Sequence, residues 1–133
     1  VESARRMLDA DTASAALGIE LVDLAEGRAV CRMTVTDQMI NGHGLCHGGY
    51  VFLLADTTFA CACNTYGPVT VAAGAEITFV APARAGDELV AEAAERTRYG
   101  RSGIYDVTVS RTGGQVVAEF RGRSREMRSD APR

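Results

Sequence analysis

Between Asp37 and Glu76 the chain carries a single Asp, Glu, Lys or Arg, and it is Asp56. This carboxylate interrupts His47-Gly-Gly-Tyr-Val-Phe-Leu-Leu-Ala-Asp56-Thr-Thr-Phe-Ala-Cys-Ala-Cys-Asn64, whose apolar residues fall on every side of a helix, the pattern of a helix buried all round. Burial disfavours an ionised carboxyl. Such a residue needs either a hydrogen-bonding partner, such as backbone amides or the neighbouring Thr57, or a chemical task. Upstream, Asn41-Gly-His43-Gly-Leu-Cys46-His47-Gly48-Gly49 forms a polar, glycine-rich approach to the helix. Glycines let a ligand come against the backbone, and the first amides of a helix have no intrahelical acceptor and carry partial positive charge. That combination suits an oxygen that gains negative charge, such as a carbonyl oxygen under nucleophilic attack. A phosphate loop is the competing chemistry, but glycines at 42, 44, 48 and 49 with no following Lys match neither common phosphate-binding pattern.

Gly48 and Asp56 lie about 12 Å apart if both belong to one straight helix rising 1.5 Å per residue. They cannot then touch the same carbonyl group. If they share a reaction, the amide of one chain faces the carboxylate of another, as two antiparallel helices across a two-fold axis would arrange.

The run Asn41-Gly-His43-Gly-x-Cys46-His47-Gly48-Gly49-x-x-Phe52-x-Leu54-Ala55-Asp56-x-x-Phe59-Ala60-x-Ala62-x-Asn64 resembles the signature of hotdog-fold acyl-CoA thioesterases, in particular the phenylacetate-degradation PaaI-type subgroup. The likeness extends from about Ala4 to Arg123 and includes Phe79-Val-Ala-Pro82-Ala-x-Ala-Gly86-Asp87. It implies an α+β hotdog fold, a long central helix wrapped by a curved antiparallel β-sheet, in a homodimer that shares its active sites and pairs further into a homotetramer. By residue correspondence Asp56 is the catalytic carboxylate, as nucleophile or general base, and the Gly48 amide polarises the thioester carbonyl from the other protomer. Asn41 and His47 line the same pocket, with Gly49 and Tyr50 beside the substrate. The implied substrate is an acyl-CoA, phenylacetyl or hydroxyphenylacetyl before short or medium aliphatic chains, hydrolysed without a cofactor. A hydroxyl helper found in some relatives falls at Ala72 or a neighbour, with Thr70 close by. Two other functions fit the same residues: an acyl-thioester hydratase or dehydratase using His47, and a noncatalytic acyl-CoA-binding module.

Coenzyme A would place its nucleotide phosphates at the surface. Arg98 and Arg101, in Arg96-Thr-Arg98-Tyr99-Gly100-Arg101, are candidates to meet them through charge-assisted contacts. A metal would have to recruit His43, Cys46 and His47, yet no second Cys/His pair has structural-zinc spacing, so no metal is expected. A nucleophilic Cys46 paired with His47 is a lesser alternative. Cys31, Cys46, Cys61 and Cys63 read as free thiols in a reducing compartment rather than a disulfide framework.

The elements that must position these groups follow from pattern. With 133 residues and 47% hydrophobic content, the chain suits one domain over 1–133. A formal charge of −3 and scattered arginines argue against nucleic acid or an anionic membrane as partner. The apolar stretch ending at Asp56 is far short of the roughly 20 residues that span a bilayer, and the N-terminus lacks a basic-then-apolar leader, so the expected location is cytoplasmic. Residues 1–17 are expected to form one or two short helices, and Ile19 to Val35 a hairpin turned at Glu26-Gly27. Val71 to Val80, Glu88 to Thr97, Ile104 to Ser110 and Val116 to Arg123 read as strands, the last two joined at Gly113-Gly114. Tyr105, Val107 and Val109 alternate with polar residues, as do Val116, Ala118 and Phe120, so one sheet face is buried. Glu76 is expected on the outer face. Residues 124–133 read as a frayed polar tail.

Overall fold

The computed structural model of the chain describes residues 1–128. Two short helices open it, α1 (Glu2–Asp9) and α2 (Thr12–Ala16), the second capped by Asp11, whose side chain accepts from the Ser14 amide. A hairpin follows, β1 (Glu20–Ala25) and β2 (Arg28–Thr34), turned where Gly27 takes a φ of +71° that a side chain would strain. After a short 3-10 turn comes the central helix α3 (Gly48–Cys63), then β3 (Thr70–Phe79), β4 (Glu88–Tyr99), β5 (Ser102–Arg111) and β6 (Val116–Glu126). No helix among the described residues is long and apolar enough to cross a membrane.

The six strands form one antiparallel sheet in the order β1-β2-β4-β5-β6-β3. Four of its five pairings carry a register shift, at Leu21/Asp23, Ala72/Gly74, Glu95/Thr97 and Val109/Ser110. Each extra residue bends and twists its strand, and together they curve the sheet around α3. Its concave face presents Ala29, Cys31 and Met33 of β2, Leu89, Ala91 and Ala93 of β4, and Tyr105, Val107 and Val109 of β5 to the helix. Small residues opposite the middle of α3 let helix and sheet approach closely. Larger ones fill the space beyond.

Phe59 is the central contact. Its ring lies 5.6 Å from that of Tyr105 and 5.8 Å from that of Phe120, all three buried. The ring fits because β6 has Gly122 beneath it: a Cβ there would stand 2.8 Å from three carbons of the Phe59 ring. Both ends of α3 are also tied. The buried Asn64 side chain donates to the Ala60 and Thr70 carbonyls and accepts from the Thr70 amide, joining the end of the helix to the start of β3.

Three expectations need correction. The tail does not begin at Ser124, because β6 continues through Glu126, paired with Thr70, and the Met127 amide bonds to the Val69 carbonyl; residues 129–133 lie outside the described residues. Val116 does not share the buried face with Ala118 and Phe120, because the shift after Val109 turns Val117 inward and leaves Val116 half-buried. Nor is α3 buried on all sides within one protomer: Gly49, Leu53, Asp56 and Ala60, at spacings of four, three and four, form a stripe that the chain's own sheet leaves uncovered. Glu76 is exposed on the outer face as expected, 3.1 Å from Arg123.

The Phe59–Gly122 contact yields a stability test. Gly122→Ala is expected to lower unfolding free energy by about 1–3 kcal/mol, the usual result of overpacking a well-filled core. Denaturant unfolding at matched protein concentration measures it, and an unchanged midpoint would show that the ring is free to move aside.

Candidate active site

The approach to α3 is organised by Asn41. Its side-chain oxygen accepts from the backbone amides of His43, at 2.8 Å, and Leu45, at 3.1 Å, while its own amide donates to the Leu45 carbonyl. Gly44 closes this turn with a φ of +78°. The loop is then fastened on both sides, the Cys46 amide to the Ala83 carbonyl and the His47 amide to the Met39 carbonyl. Asn41 uses its oxygen for the loop, leaving its NH2 group as the part that can address a ligand.

His47 is the helix cap. Its Nδ1 accepts from the Gly49 amide at 3.0 Å, which puts the proton of the neutral ring on Nε2. The Tyr50 amide is taken by the His47 carbonyl. Among the described residues no acceptor meets the Gly48 N–H, so the amide at the very start of the helix is an uncommitted donor at its positive end. The Phe79 ring stands over Gly48, where a Cβ would come within 2.8 Å of it. Asn41, Leu45, Gly48, Val51, Phe79 and Val117 are among the residues around a cavity of about 390 Å³, apolar apart from the Asn41 side chain and exposed backbone. Apolar walls with a few placed polar groups are what small-molecule sites share.

Asp56 lies two helical turns further along α3 and does not reach this cavity. It is half-buried, and no hydrogen bond from the described residues reaches its carboxylate. Thr57, the hydroxyl next to it in sequence, turns to Ser14 instead, at 2.8 Å. Burial, and then the negative charge of Asp11, push the Asp56 carboxyl above the usual aspartate range. A carboxyl shifted upward without a partner is closer to what a base needs near neutral pH than an ordinary surface aspartate.

The structure thus brings Asn41 and Gly48 to one cavity, whereas His47 and Gly49, expected in the same pocket, are exposed beside it and do not line it, and the other expected groups stand apart. Tyr50 meets His47 edge-on at 6.3 Å but lines a different recess, with Leu17 and Met39. Arg98 and Arg101 stand at the opposite end of α3, about 22 Å along its axis from Gly48. There the Arg98 guanidinium stacks 3.6 Å from the centre of the Tyr66 ring. Thr70 spends its hydroxyl on the Pro68 carbonyl. Burial raises the Cys46 thiol and Asp87 adds to the effect, away from the thiolate a nucleophile needs, and its sulfur faces the His47 carbonyl rather than the imidazole. Among the described residues no three His, Cys, Asp or Glu side chains are arranged to hold a metal. In sequence Phe79 has no role beyond its place in the family motif, and Thr57 reads as a partner for Asp56 with no tie to Asp11 and Ser14. Phe79 had a signal, its place before Val-Ala-Pro82, whereas nothing in the linear order joins Asp11 to Thr57.

Comparisons with known proteins identify the family and the fold. The sequence profile described as Thioesterase superfamily matches residues 43–118. Acyl-coenzyme A thioesterase PaaI of Escherichia coli is 46% identical over 123 residues, covering 92% of this chain and 88% of that protein. The solved structure of the E. coli PaaI protein from the phenylacetic acid degradation operon superimposes with a TM-score of 0.93 at 44% identity, over 96% of this chain and 92% of that one. A mutant of phenylacetic acid degradation protein PaaI from Thermus thermophilus gives 0.85 at 36%, over 88% and 100%. With a single central helix wrapped by a six-stranded antiparallel sheet, the chain has the hotdog fold and belongs to the thioesterase superfamily.

Proposed function

We propose that this chain hydrolyses acyl-CoA thioesters to the free acid and CoA, with aryl-acyl chains of the phenylacetyl or hydroxyphenylacetyl type as its substrates. The observation that carries this is the uncommitted Gly48 amide at the edge of an apolar cavity. A thioester whose carbonyl oxygen accepts from that amide would have its developing negative charge stabilised by the helix terminus. The Val51, Phe79 and Val117 walls suit a flat aromatic acyl group. The curated relative at 46% identity is itself named an acyl-coenzyme A thioesterase.

In this mechanism Asp56 either takes a proton from water as the water attacks the carbonyl carbon, or attacks that carbon itself to form an anhydride that water then opens. The tetrahedral adduct collapses by breaking the C–S bond, and the CoA sulfur leaves with a proton. Water is the only co-reactant. Asn41 and His47 act at the Gly48 end, the first through its free NH2 and the second by holding the Gly49 amide so that the first turn keeps its shape. Gly49, and Tyr50 in the recess with Leu17 and Met39, would meet only a part of the substrate that extends beyond the Gly48 cavity. Arg98 and Arg101, exposed or nearly so beyond the other end of α3, would meet the CoA phosphates.

The carboxylate comes from a second copy. Gly48 and Asp56 belong to one helix in this structure, so the separation of about 12 Å along its axis holds. The uncovered stripe of Gly49, Leu53, Asp56 and Ala60 suits close packing against an antiparallel α3. Beside it β3 is an edge strand, paired on one side only, with Val71 and Phe79 exposed, which suits continuation of the sheet into a partner. Association of two such dimers into a tetramer is part of the same proposal, and mass in solution measures it.

Asp56→Asn is expected to lower free-thiol release from the best acyl-CoA by at least about 100-fold, the low end for loss of a general base. Near wild-type turnover by the folded variant would remove Asp56 from the mechanism. The same substitution has a stability consequence whose sign follows from the raised carboxyl. A group with its folded-state pKa raised favours the fold at low pH, an advantage lost as pH rises through that value. Asp56→Asn should therefore stabilise the protein at neutral pH relative to wild type and give no such gain in acid, as thermal unfolding at the two pH values would reveal.

The shared site is tested by complementation. Gly48→Pro removes the donor at the first helical position, and His47 at φ −60° and ψ 131° already has the backbone a following proline requires; because a Cβ there meets the Phe79 ring at 2.8 Å, the variant is first shown to assemble normally and to bind an acyl-CoA. Refolded together, Gly48→Pro and Asp56→Asn should recover up to roughly a quarter of wild-type activity, since about half the dimers are mixed and each holds one intact site. No recovery from dimers shown to be mixed would place both groups in one chain or exclude Gly48 as donor.

A further inference from the structure

A chain of hydrogen bonds, half-buried at Asp11 and buried at Thr57, joins the N-terminal segment to the turn of α3 that carries Asp56. Asp11 accepts twice from Ser14, through Oδ1 from the amide at 2.9 Å and through Oδ2 from the hydroxyl at 2.6 Å. Ser14 Oγ then lies 2.8 Å from Thr57 Oγ1, with both residues buried. A serine hydroxyl has one proton. Since Ser14 gives it to Asp11, Thr57 must donate to Ser14, and the relay is polarised from α3 toward the Asp11 carboxylate. Thr57 follows Asp56 in sequence, about 100° round the helix. The link therefore docks α2 on the turn of α3 that carries Asp56.

We propose that Asp11 is a positioning residue for Asp56: locked to α3 through Ser14 and Thr57, its negative charge sets the pH at which the Asp56 carboxyl becomes a working base. This rests on the assignment of Asp56 as the catalytic carboxylate.

The surroundings of Asp56 single out Asp11. Helix α1 packs inward through Ala4, and its Glu2, Arg5, Arg6 and Asp9 are exposed. On β1, Glu20 and Asp23 are exposed, as is Glu76 on β3. The sheet presents the Cys31 thiol of β2 and the Tyr105 phenol of β5 to the helix, and α3 itself adds Cys61 and Cys63, all neutral groups in their protonated forms. Among the described residues of one protomer, Asp11 is the charged group whose effect on the carboxyl adds to that of burial, in the same direction. Desolvation sets the larger part of the displacement, and Asp11 adjusts it. A like charge nearby makes the base stronger and delays its ionisation to higher pH.

Asp11→Asn removes the charge and keeps the cap, because its single amide oxygen still accepts from the Ser14 amide; its NH2 group takes the place of Oδ2 and donates to the Ser14 hydroxyl, which then turns its own proton to Thr57, so the link survives with its direction reversed. Two readouts on the full-length protein test it: the acid limb of kcat/KM against pH, and the titration of the Asp56 side-chain carboxyl followed by carbon-13 NMR. The variant is expected to shift both to lower pH by on the order of half a unit, with a smaller shift in high salt. Thr57→Val, which cuts the link but keeps the Asp11 charge and the shape of the side chain, is expected to lower kcat with less effect on the acid limb. An unmoved Asp56 titration in Asp11→Asn would overturn the proposal and leave Asp11 a helix cap. The parent assignment fails differently, through full activity of Asp56→Asn, and in that case a shifted titration with an unshifted rate profile would mark Asp11 as a neighbour without a catalytic role.

Discussion

A sixteen-residue helix with apolar side chains around most of its circumference cannot rest on a flat surface, since part of it would always face water. The rest of the structure follows from covering α3. A flat sheet buries one stripe of a helix. A sheet bent by bulges in four of its five pairings reaches further round, and the small residues along β2 and β4 let it come close. Even so, one protomer leaves the Gly49, Leu53, Asp56 and Ala60 stripe open. Placing the one charged residue of the helix on that stripe avoids the severe cost of an ionised group pressed against Val107 or Leu54. The same placement leaves the carboxyl half-buried and facing outward.

Both ends of α3 are fixed by side chains that satisfy backbone groups. At the start His47 takes the Gly49 amide and Asn41 gathers two amides of the preceding loop. At the end Asn64 bridges to Thr70 through two bonds and holds the Ala60 carbonyl with a third, and Thr65 accepts from the Gly27 amide in the first hairpin. Fixed termini matter for chemistry because a helix amide polarises a carbonyl only if it is aimed in advance, without reorganisation during the reaction. The Gly48 amide is left over from this satisfaction. Its neighbours are all engaged, so its direction is set while its proton is free.

Much of this was legible in linear order. The all-round apolar segment with one carboxylate, the glycines before it, and the alternation in β5 are local patterns with local causes, and the structure keeps each of them. The hairpin at Glu26-Gly27 and the strand positions followed from turn residues and periodicity in the same way. What escaped was set by register. One residue inserted opposite Val109 exchanges Val117 for Val116 on the buried face, and no composition rule marks the insertion. The end of β6 was placed too early because Arg-Ser-Arg-Glu looks solvated, yet in an antiparallel sheet backbone pairing with β3 holds such residues whether or not their side chains are buried.

By itself, the sequence determined that a carboxylate lies in an apolar helix and that glycines precede the helix, because residue type and spacing along one element are independent of everything packed against it. The distance from Gly48 to Asp56 belongs to the same class, since helical rise converts residue number directly into length. Tertiary structure alone decided which faces of that helix are covered, that the Phe59 ring requires a glycine on a strand more than sixty residues later, and that the Thr57 hydroxyl turns to Ser14 rather than to its neighbour Asp56. It also decided the company of the carboxyl. Electrostatic and packing interactions depend on separation in space, and folding brings Asp11 to α3 across a stretch of chain whose sequence says nothing of their proximity.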